Sequence, residues 1–249
     1  MLSASLSWER IVHYNMKLVN PRNIFILILC ICVVSAVIVI VLDTAAVQTE
    51  SGAEASHTLV IDPGHGGIDG GAISTDGTKE SDINLAIALK LHALAEFMGQ
   101  ATVMTREDDS WRTDAASYSE HEDLVHRTEI INAAPNPILF SIHQNCFPTA
   151  QPSGAQVLYA KYEGSELLGT LTHHNLISCL DPENRRVAEP ASEKLYITAN
   201  VKCPAILVEC GFMSNNFDVL KLKDDSYQLS LALVLMCSFL QFTSGTAQA

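Results

Sequence analysis

Short aliphatic runs alternate with amphipathic stretches along most of this chain, and that alternation constrains the fold more than any other feature. Two runs, Ile138–His143 and Ala205–Glu209, are almost continuously apolar, as expected of strands that are covered on both faces. The stretch Asp82–Met98 instead repeats its apolar side chains at helical spacing. The sequence therefore predicts an α/β fold: a single twisted, mostly parallel sheet flanked by helices.

The predicted elements begin at Thr58 and end at Phe242. Strands are predicted at 58–62, 101–105, 138–143, 155–160 and 205–209, and helices at 82–98, 122–134, 164–179 and 226–242. Ser81 or Asp82 is expected to cap the first helix and Gly99 to end it. Glu80 is expected just outside the first turn of that helix.

A separate apolar segment, Ile24–Leu42, runs for 19 residues without a charge, which is long enough to span a bilayer. Arg10, Lys17 and Arg22 precede it against a single acid, Glu9. The excess of positive charge predicts a cytoplasmic N-terminus, residues 1–23, and places everything after the segment outside the membrane.

The remaining boundaries follow from this assignment. Residues 43–56 are small and polar and are expected to form a linker, residues 57–242 a catalytic domain, and residues 243–249 a tail. A cleaved signal peptide is the alternative to a transmembrane anchor, although signal peptides usually have an apolar core of only ~7–15 residues.

The predicted external part is strongly acidic, with 12 basic and 27 acidic residues of the 15 and 28 in the whole chain. A surface with this charge repels the phosphate backbone of nucleic acids. Nucleic acid is therefore excluded as the expected partner.

Four polar residues stand at the ends of predicted elements: His65, Glu80, His143 and Glu209. In an open α/β sheet such residues converge on one edge. Two imidazoles and one carboxylate are the ligands of a catalytic zinc site, and a further carboxylate is available to move protons. Glycines around His65 favour a close approach to a metal or substrate; a phosphate-binding loop is the alternative, but neither common spacing is present.

Five ordered motifs carry a resemblance to a known family. They are VIDPGHGGIDGGA (60–72), KESDINLAIALKL (79–91), VMTREDD (103–109), SIHQN (141–145) and ILVECGFMSN (206–215). Together they resemble the zinc-dependent N-acetylmuramoyl-L-alanine amidases of the Amidase_3 type over about His57–Phe242. The arrangement of a single domain after an N-terminal apolar segment is most similar to the germination-specific members of the family in spore-forming bacteria.

The resemblance implies a role for each of the four residues. His65, Glu80 and His143 fall on the family's zinc ligands and Glu209 on its catalytic glutamate. The implied substrate is peptidoglycan, cut between N-acetylmuramic acid and L-alanine, and the germination-specific group implies the first step towards muramic-δ-lactam in spore cortex. It leaves open an activating protein partner, which the sequence does not identify.

Some residues near these motifs depart from the family or have open roles. Gln144 and Cys210 stand where a small or aliphatic residue is usual, and Cys146 follows Asn145. Asn145, Arg106 and Arg127 are expected substrate contacts, with a structural ion pair equally expected for each arginine.

Two other functions compete with amide hydrolysis at the lactyl group. The same zinc chemistry would serve a peptidase that cuts within the stem peptide. A catalytically silent wall-binding module is the second alternative, but such a module would not need Glu209 together with three ligands.

Overall fold

The computed structural model describes residues 56–109 and 118–245, which contain six strands and six helices. The strands are β1 (Thr58–Pro63), β2 (Thr102–Met104), β3 (Pro137–Asn145), β4 (Gln156–Tyr159), β5 (Glu189–Pro190) and β6 (Ala205–Phe212). The helices are α1 (Glu80–Phe97), α2 (Glu120–Ala133), α3 (Ser165–Leu180), α4 (Tyr196–Asn200), α5 (Asn216–Leu222) and α6 (Asp225–Thr243). The predicted segments 1–23 and 24–42, the linker up to residue 55 and the tail from residue 246 lie outside the described residues.

The strands form one sheet in the order β2-β1-β3-β6-β4-β5. The first four strands of this order are mutually parallel, whereas β4 is antiparallel to β6 and β5 is parallel to β4. The predicted α/β class with one sheet flanked by helices is confirmed, but the sheet is mixed. Residues 146–155, between β3 and β4, contain no helix that could carry the chain back for a parallel strand, so β4 runs in the opposite direction.

Helices cover both faces of the sheet. On one face, α1, α3 and α6 bury Ile87, Leu168 and Leu235 against Phe140 and other strand residues. A smaller cluster on the other face joins Val60 and Leu139 to Ile131 of α2 and Ile197 of α4. Burial on both faces explains why β3 and β6 read as continuous aliphatic runs.

Among the described helices, α6 is the one that is long and apolar enough to cross a membrane by length and composition alone. Leu235 and Phe239 of this helix are fully buried within the core. Its apolar composition therefore follows from its position against the sheet and α1.

The start of α1 differs from the prediction. Glu80 is the first residue of the helix, and the residue before it, Lys79, makes no side-chain capping hydrogen bond. The first backbone N–H groups bond to carbonyls of the preceding loop instead: Glu80 N donates to Ala72 O at 2.9 Å and Ser81 N to Gly70 O at 3.1 Å. Because the loop carbonyls accept these hydrogen bonds, no side chain has to cap the helix. The Glu80 carboxylate can therefore interact with groups outside the helix. Gly99, with φ +70°, follows the helix as predicted.

Candidate metal centre and active site

The loop after β1 carries His65 in a left-handed backbone conformation, with φ 60°. Two arginine side chains donate hydrogen bonds to the backbone carbonyl groups of this loop. Arg106 donates to Pro63 O at 2.9 Å and Gly64 O at 3.1 Å, and Arg127 donates to Pro63 O at 2.7 Å and His65 O at 2.6 Å. These hydrogen bonds fix the carbonyl groups of the loop and, with them, the direction of the His65 side chain.

The two arginines therefore occupy structural positions, in contrast to the expected contacts with substrate. The Arg127 side chain is only 4% exposed and pairs with Asp62 at 2.9 Å and Asp123 at 2.8 Å. Arg106 directs its remaining bonds to Ser81 O at 2.9 Å and Asp108 O at 3.1 Å. Arg127 thus forms the structural ion pairs that were the alternative to a substrate contact. Arg106 supports the same loop through hydrogen bonds to backbone carbonyl groups.

Asp62 lies beneath this loop and is fully buried. Burial alone would raise its pKa, but the charge of Arg127 and hydrogen bonds from Thr105 and Ser141 outweigh burial and lower it. A depressed folded-state pKa means that this ionised network stabilises the fold above the unfolded-state pKa of ~3.9 and loses that contribution as the pH falls through the folded-state value.

We expect Arg127→Met to destabilise the protein by about 3–5 kcal/mol at pH 7, because it leaves the Asp62 carboxylate buried without its charge partner. The buried, unpaired Asp62 carboxyl of the variant should take up a proton at a higher pH than that of the wild type, so this difference should shrink between pH 7 and pH 4. Urea unfolding of both proteins at pH 7 and pH 4 measures it. Lys161→Met removes only the exposed pair with Glu193 and should change stability little; an equally small effect of Arg127→Met would contradict the assignment.

Glu80 projects from the first turn of α1 and is held by backbone donors on both oxygens. Its Oε2 accepts from Ala72 N at 2.9 Å and its Oε1 from Gln144 N at 3.0 Å. Gly71 permits this approach, since an added Cβ would lie 2.7 Å from Glu80 Oε2 and 2.7 Å from the His65 ring. The glycine-rich loop therefore brings the histidine and the carboxylate together.

His65, Glu80 and His143 form a group whose potential ligand atoms all lie within 4.8 Å of one another. Glu80 Oε1 is 3.4 Å from His65 Nε2 and 3.1 Å from His143 Nδ1. Two ligands bound at about 2.0–2.1 Å to a tetrahedral zinc ion are separated by roughly 3.3 Å, so these spacings fit such an ion. The donor set, two imidazoles and one carboxylate, also fits zinc.

Asp69 orients the first histidine. Its Oδ2 lies 2.7 Å from His65 Nδ1, and its Oδ1 accepts from Gly71 N at 3.0 Å. A carboxylate on the far nitrogen of a histidine is the usual support of a metal-binding imidazole. Asp69 is not among the residues predicted from the sequence, although its position four residues after His65 within the glycine-rich motif is a usable signal.

The three residues are also coupled electrostatically. Burial opposes a charge on His65, but hydrogen bonds to Asp69 and Glu80 outweigh burial and raise the pKa of His65 to about 10. Burial likewise opposes the charge on Glu80, but hydrogen bonds from His143 and His65 outweigh it and lower the pKa of that carboxyl. The pocket thus favours positive charge beside Glu80, as a cation site must.

Glu209 completes the group from the neighbouring strand. It lies opposite His143 in the parallel register of β3 and β6. Its Oε2 is buried and has no hydrogen-bond partner among the described residues. Burial raises the pKa of Glu209 to about 7; the charge of His143 opposes this rise and the charge of Glu80 adds to it. A pKa near 7 suits proton transfer near neutral pH.

These residues open into a cleft of about 370 Å³. The cleft is lined by all four predicted residues together with Asn145 and Tyr196. Tyr196 belongs to α4, whose five residues are too few to show a helical period, so this wall of the cleft is not predicted from the sequence. Asn145, an expected substrate contact, is placed within reach of a molecule in the cleft.

The chain resembles known cell-wall amidases over most of its length. The Amidase_3 family model, described as N-acetylmuramoyl-L-alanine amidase, matches residues 59–235. The germination-specific N-acetylmuramoyl-L-alanine amidase of Bacillus subtilis is 32% identical over 191 residues, which cover 74% of this chain and 78% of that protein. The amidase LytC of the same organism is 31% identical over 174 residues, 69% of this chain but only 32% of LytC.

Solved structures show the same fold. The CwlD amidase from Clostridioides difficile, in complex with the GerS lipoprotein, matches with a TM-score of 0.70 and 35% identity over 76% of this chain and 98% of that one. The amidase AmiC2 of Nostoc punctiforme matches with a TM-score of 0.63 and 28% identity over 75% of this chain and 97% of its own. The family resemblance read from the five motifs is confirmed: this chain belongs to the Amidase_3 family of N-acetylmuramoyl-L-alanine amidases, enzymes that act on peptidoglycan outside the cytoplasmic membrane.

Proposed function

We propose that this chain hydrolyses the amide between N-acetylmuramic acid and L-alanine in spore cortex peptidoglycan, with zinc held by His65, Glu80 and His143 and with Glu209 as the general base. The observation that carries the proposal is the convergence of three ligand atoms within 4.8 Å beside a buried carboxylate oxygen that has no partner among the described residues. A metal-free binding module would have no use for that arrangement.

The chemistry divides between the metal and Glu209. Zinc at this site would supply a Lewis acid that polarises the scissile carbonyl and acidifies a water molecule. Glu209 Oε2 takes the proton of the attacking water and then delivers it to the nitrogen of L-alanine as the amide bond breaks. Both transfers need the carboxylate close to the proposed ligands, and the register of Glu209 with His143 supports this role.

Other residues of the chain keep this geometry fixed. Asp69 holds the His65 ring, while Ala72 N and Gln144 N hold the two oxygens of Glu80. Asn145, two residues beyond His143 on the cleft wall, is the proposed contact to the substrate. Arg106 and Arg127 serve the reaction by supporting the loop of His65.

The spore cortex is proposed as the site of action because of the likeness to the germination-specific amidase of Bacillus subtilis and to CwlD. Removing the peptide from N-acetylmuramic acid frees the lactyl carboxylate, the group that must react to close a muramic-δ-lactam. The chain would then catalyse the first step of lactam formation.

This role predicts a defined defect in a spore-forming host. Deletion of the gene, or Glu209→Gln, should leave sporulation complete but yield cortex without muramic-δ-lactam and spores that do not finish germination. Mass spectrometry of digested cortex measures the lactam directly. A mutant cortex with the normal lactam content would refute the cortex role, whereas muramic acid that still carries its peptide would support it.

The proposal includes attachment to the cytoplasmic membrane through Ile24–Leu42, with the catalytic domain outside. A spacer of 14 residues, the length of 43–56, spans at most about 50 Å. The enzyme would therefore cut wall close to the membrane. Because CwlD is found in complex with the GerS lipoprotein, we include an extracytoplasmic protein partner in the proposal.

A further inference from the structure

The side chain of Gln144 lies buried behind the metal ligands. It follows His143 on β3, beside the register shift between His143 and Asn145, and its side chain reaches α1 and is only 3% exposed. There its Nε2 donates to Asn84 Oδ1 at 3.1 Å. Gln144 therefore contacts the polar residue of α1 that lies one helical turn after Glu80.

Asn84 connects the two segments that carry ligands. It is fully buried, and its Nδ2 donates to Gly64 O at 3.0 Å and to Glu80 Oε1 at 3.4 Å. Gly64 directly precedes His65, and Glu80 Oε1 is the oxygen nearest both histidines. A single amide group thus holds the loop of the first histidine and the carboxylate in one relative position.

The orientation of this amide depends on Gln144. A side-chain amide that rotates by half a turn exchanges its donor for its acceptor. With the Gln144 donor in place, Asn84 must turn its oxygen to Gln144 and its NH2 group to Glu80. Without that donor, the Asn84 oxygen would be buried without a partner, and only Gly64 O and the Glu80 carboxylate would hold the amide in this orientation.

The cost of this arrangement supports a role beyond stability. Gln144 Oε1 is buried with no hydrogen bond of ordinary geometry among the described residues, although the Cys210 thiol is near enough to interact with this amide. An unpartnered buried oxygen destabilises a fold, and an apolar side chain of the same length would avoid that penalty. The presence of an amide at this position is best explained by the hydrogen bond that its Nε2 donates to Asn84 Oδ1.

We propose that Gln144 is a positioning residue: it locks the Asn84 amide in the orientation that holds Glu80 and the His65 loop ready for the metal. This inference rests on the proposed function, because it assumes that Glu80, His65 and His143 bind zinc. It adds a buried side chain that contacts α1 to the support of the metal centre.

The test compares zinc affinity with stability in the full chain. Gln144→Met keeps the length of the side chain and removes the donor. Gln228→Met is the matched control, because Gln228 is also buried but bonds to Leu222 O and Lys90, away from the ligands. Zinc affinity is measured by competition with a chelator, and the melting temperature is measured on the metal-free proteins.

We expect Gln144→Met to weaken zinc binding by roughly 10–100-fold, the usual effect of losing a residue that supports metal ligands. Its melting temperature should fall no further than that of Gln228→Met, whose zinc affinity should match the wild type. Because Gln144 acts through Asn84, adding Gln144→Met to Asn84→Ala should weaken zinc binding no further than Asn84→Ala alone.

Several results would overturn the inference. Unchanged zinc affinity in Gln144→Met would do so, and so would additive losses in the double variant. A Gln144→Met chain that fails to fold would show that the amide serves the core and would contradict the positioning role. A wild-type chain that takes up no zinc would instead refute the metal centre of the proposed function, and this inference with it.

Discussion

His143→Ala is expected to lose most of its zinc and all measurable amide hydrolysis. Loss of one ligand of three opens a second coordination position to water and weakens retention of the metal. The same variant removes the imidazole whose Nδ1 lies 3.1 Å from Glu80 Oε1 and thereby leaves that carboxylate without one of its partners. Elemental analysis of the purified protein and release of peptide from peptidoglycan measure the two effects.

A second histidine provides the control for this variant. His92 has a side chain that is 24% exposed, close to the 19% of His143, and it lies on α1, where it bonds to Thr102. His92→Ala should retain both zinc and activity. Zinc at the wild-type level and full activity in His143→Ala would contradict the assignment of His143 as a ligand.

Glu209→Gln is expected to separate metal binding from chemistry. The amide keeps the shape of the side chain but cannot accept the proton of the attacking water, a contribution of typically ~10²–10⁴-fold to the rate. We therefore expect kcat to fall by that factor while the zinc content and the melting temperature stay near wild type. Glu166→Gln, on the exposed first turn of α3, should leave all three unchanged.

Loss of zinc in Glu209→Gln would lead to a different assignment. Glu209 would then be a ligand and Glu80 the candidate base. The hydrogen bonds to Glu80 favour the present roles, because its two oxygens are already fixed by Ala72 N and Gln144 N, whereas Glu209 Oε2 has no partner among the described residues.

The convergence of the four candidate residues is easier to predict from the sequence than the direction of every strand. His65, Glu80, His143 and Glu209 each stand at the end of an element, and the carboxyl ends of parallel strands meet at one edge. Their convergence therefore follows from the alternation of strands and helices. The direction of β4 cannot be predicted from its own short aliphatic run, since such a run pairs with either a parallel or an antiparallel neighbour. The signal lies in the connection 146–155, which is too short for the helical crossover that a parallel strand would need.

The supporting residues are harder to predict for a related reason. Arg127 and Asp62 are 65 positions apart in the chain, and Gln144 and Asn84 are 60 positions apart. No local sequence pattern links residues so far apart. The sequence therefore does not distinguish an arginine that binds substrate in a cleft from one that supports a loop beside it. The structure distinguishes the two because it shows which acceptors each donor reaches.

Hydrolysis of the amide at the lactyl group is tested most directly by identifying the new amino terminus released when the zinc-loaded chain digests purified peptidoglycan. We expect stem peptides that begin with L-alanine and glycan strands that carry free lactyl carboxylates, and we expect Glu209→Gln to release neither. A new amino terminus at any later residue of the stem peptide would show a peptidase and contradict amide hydrolysis at the lactyl group.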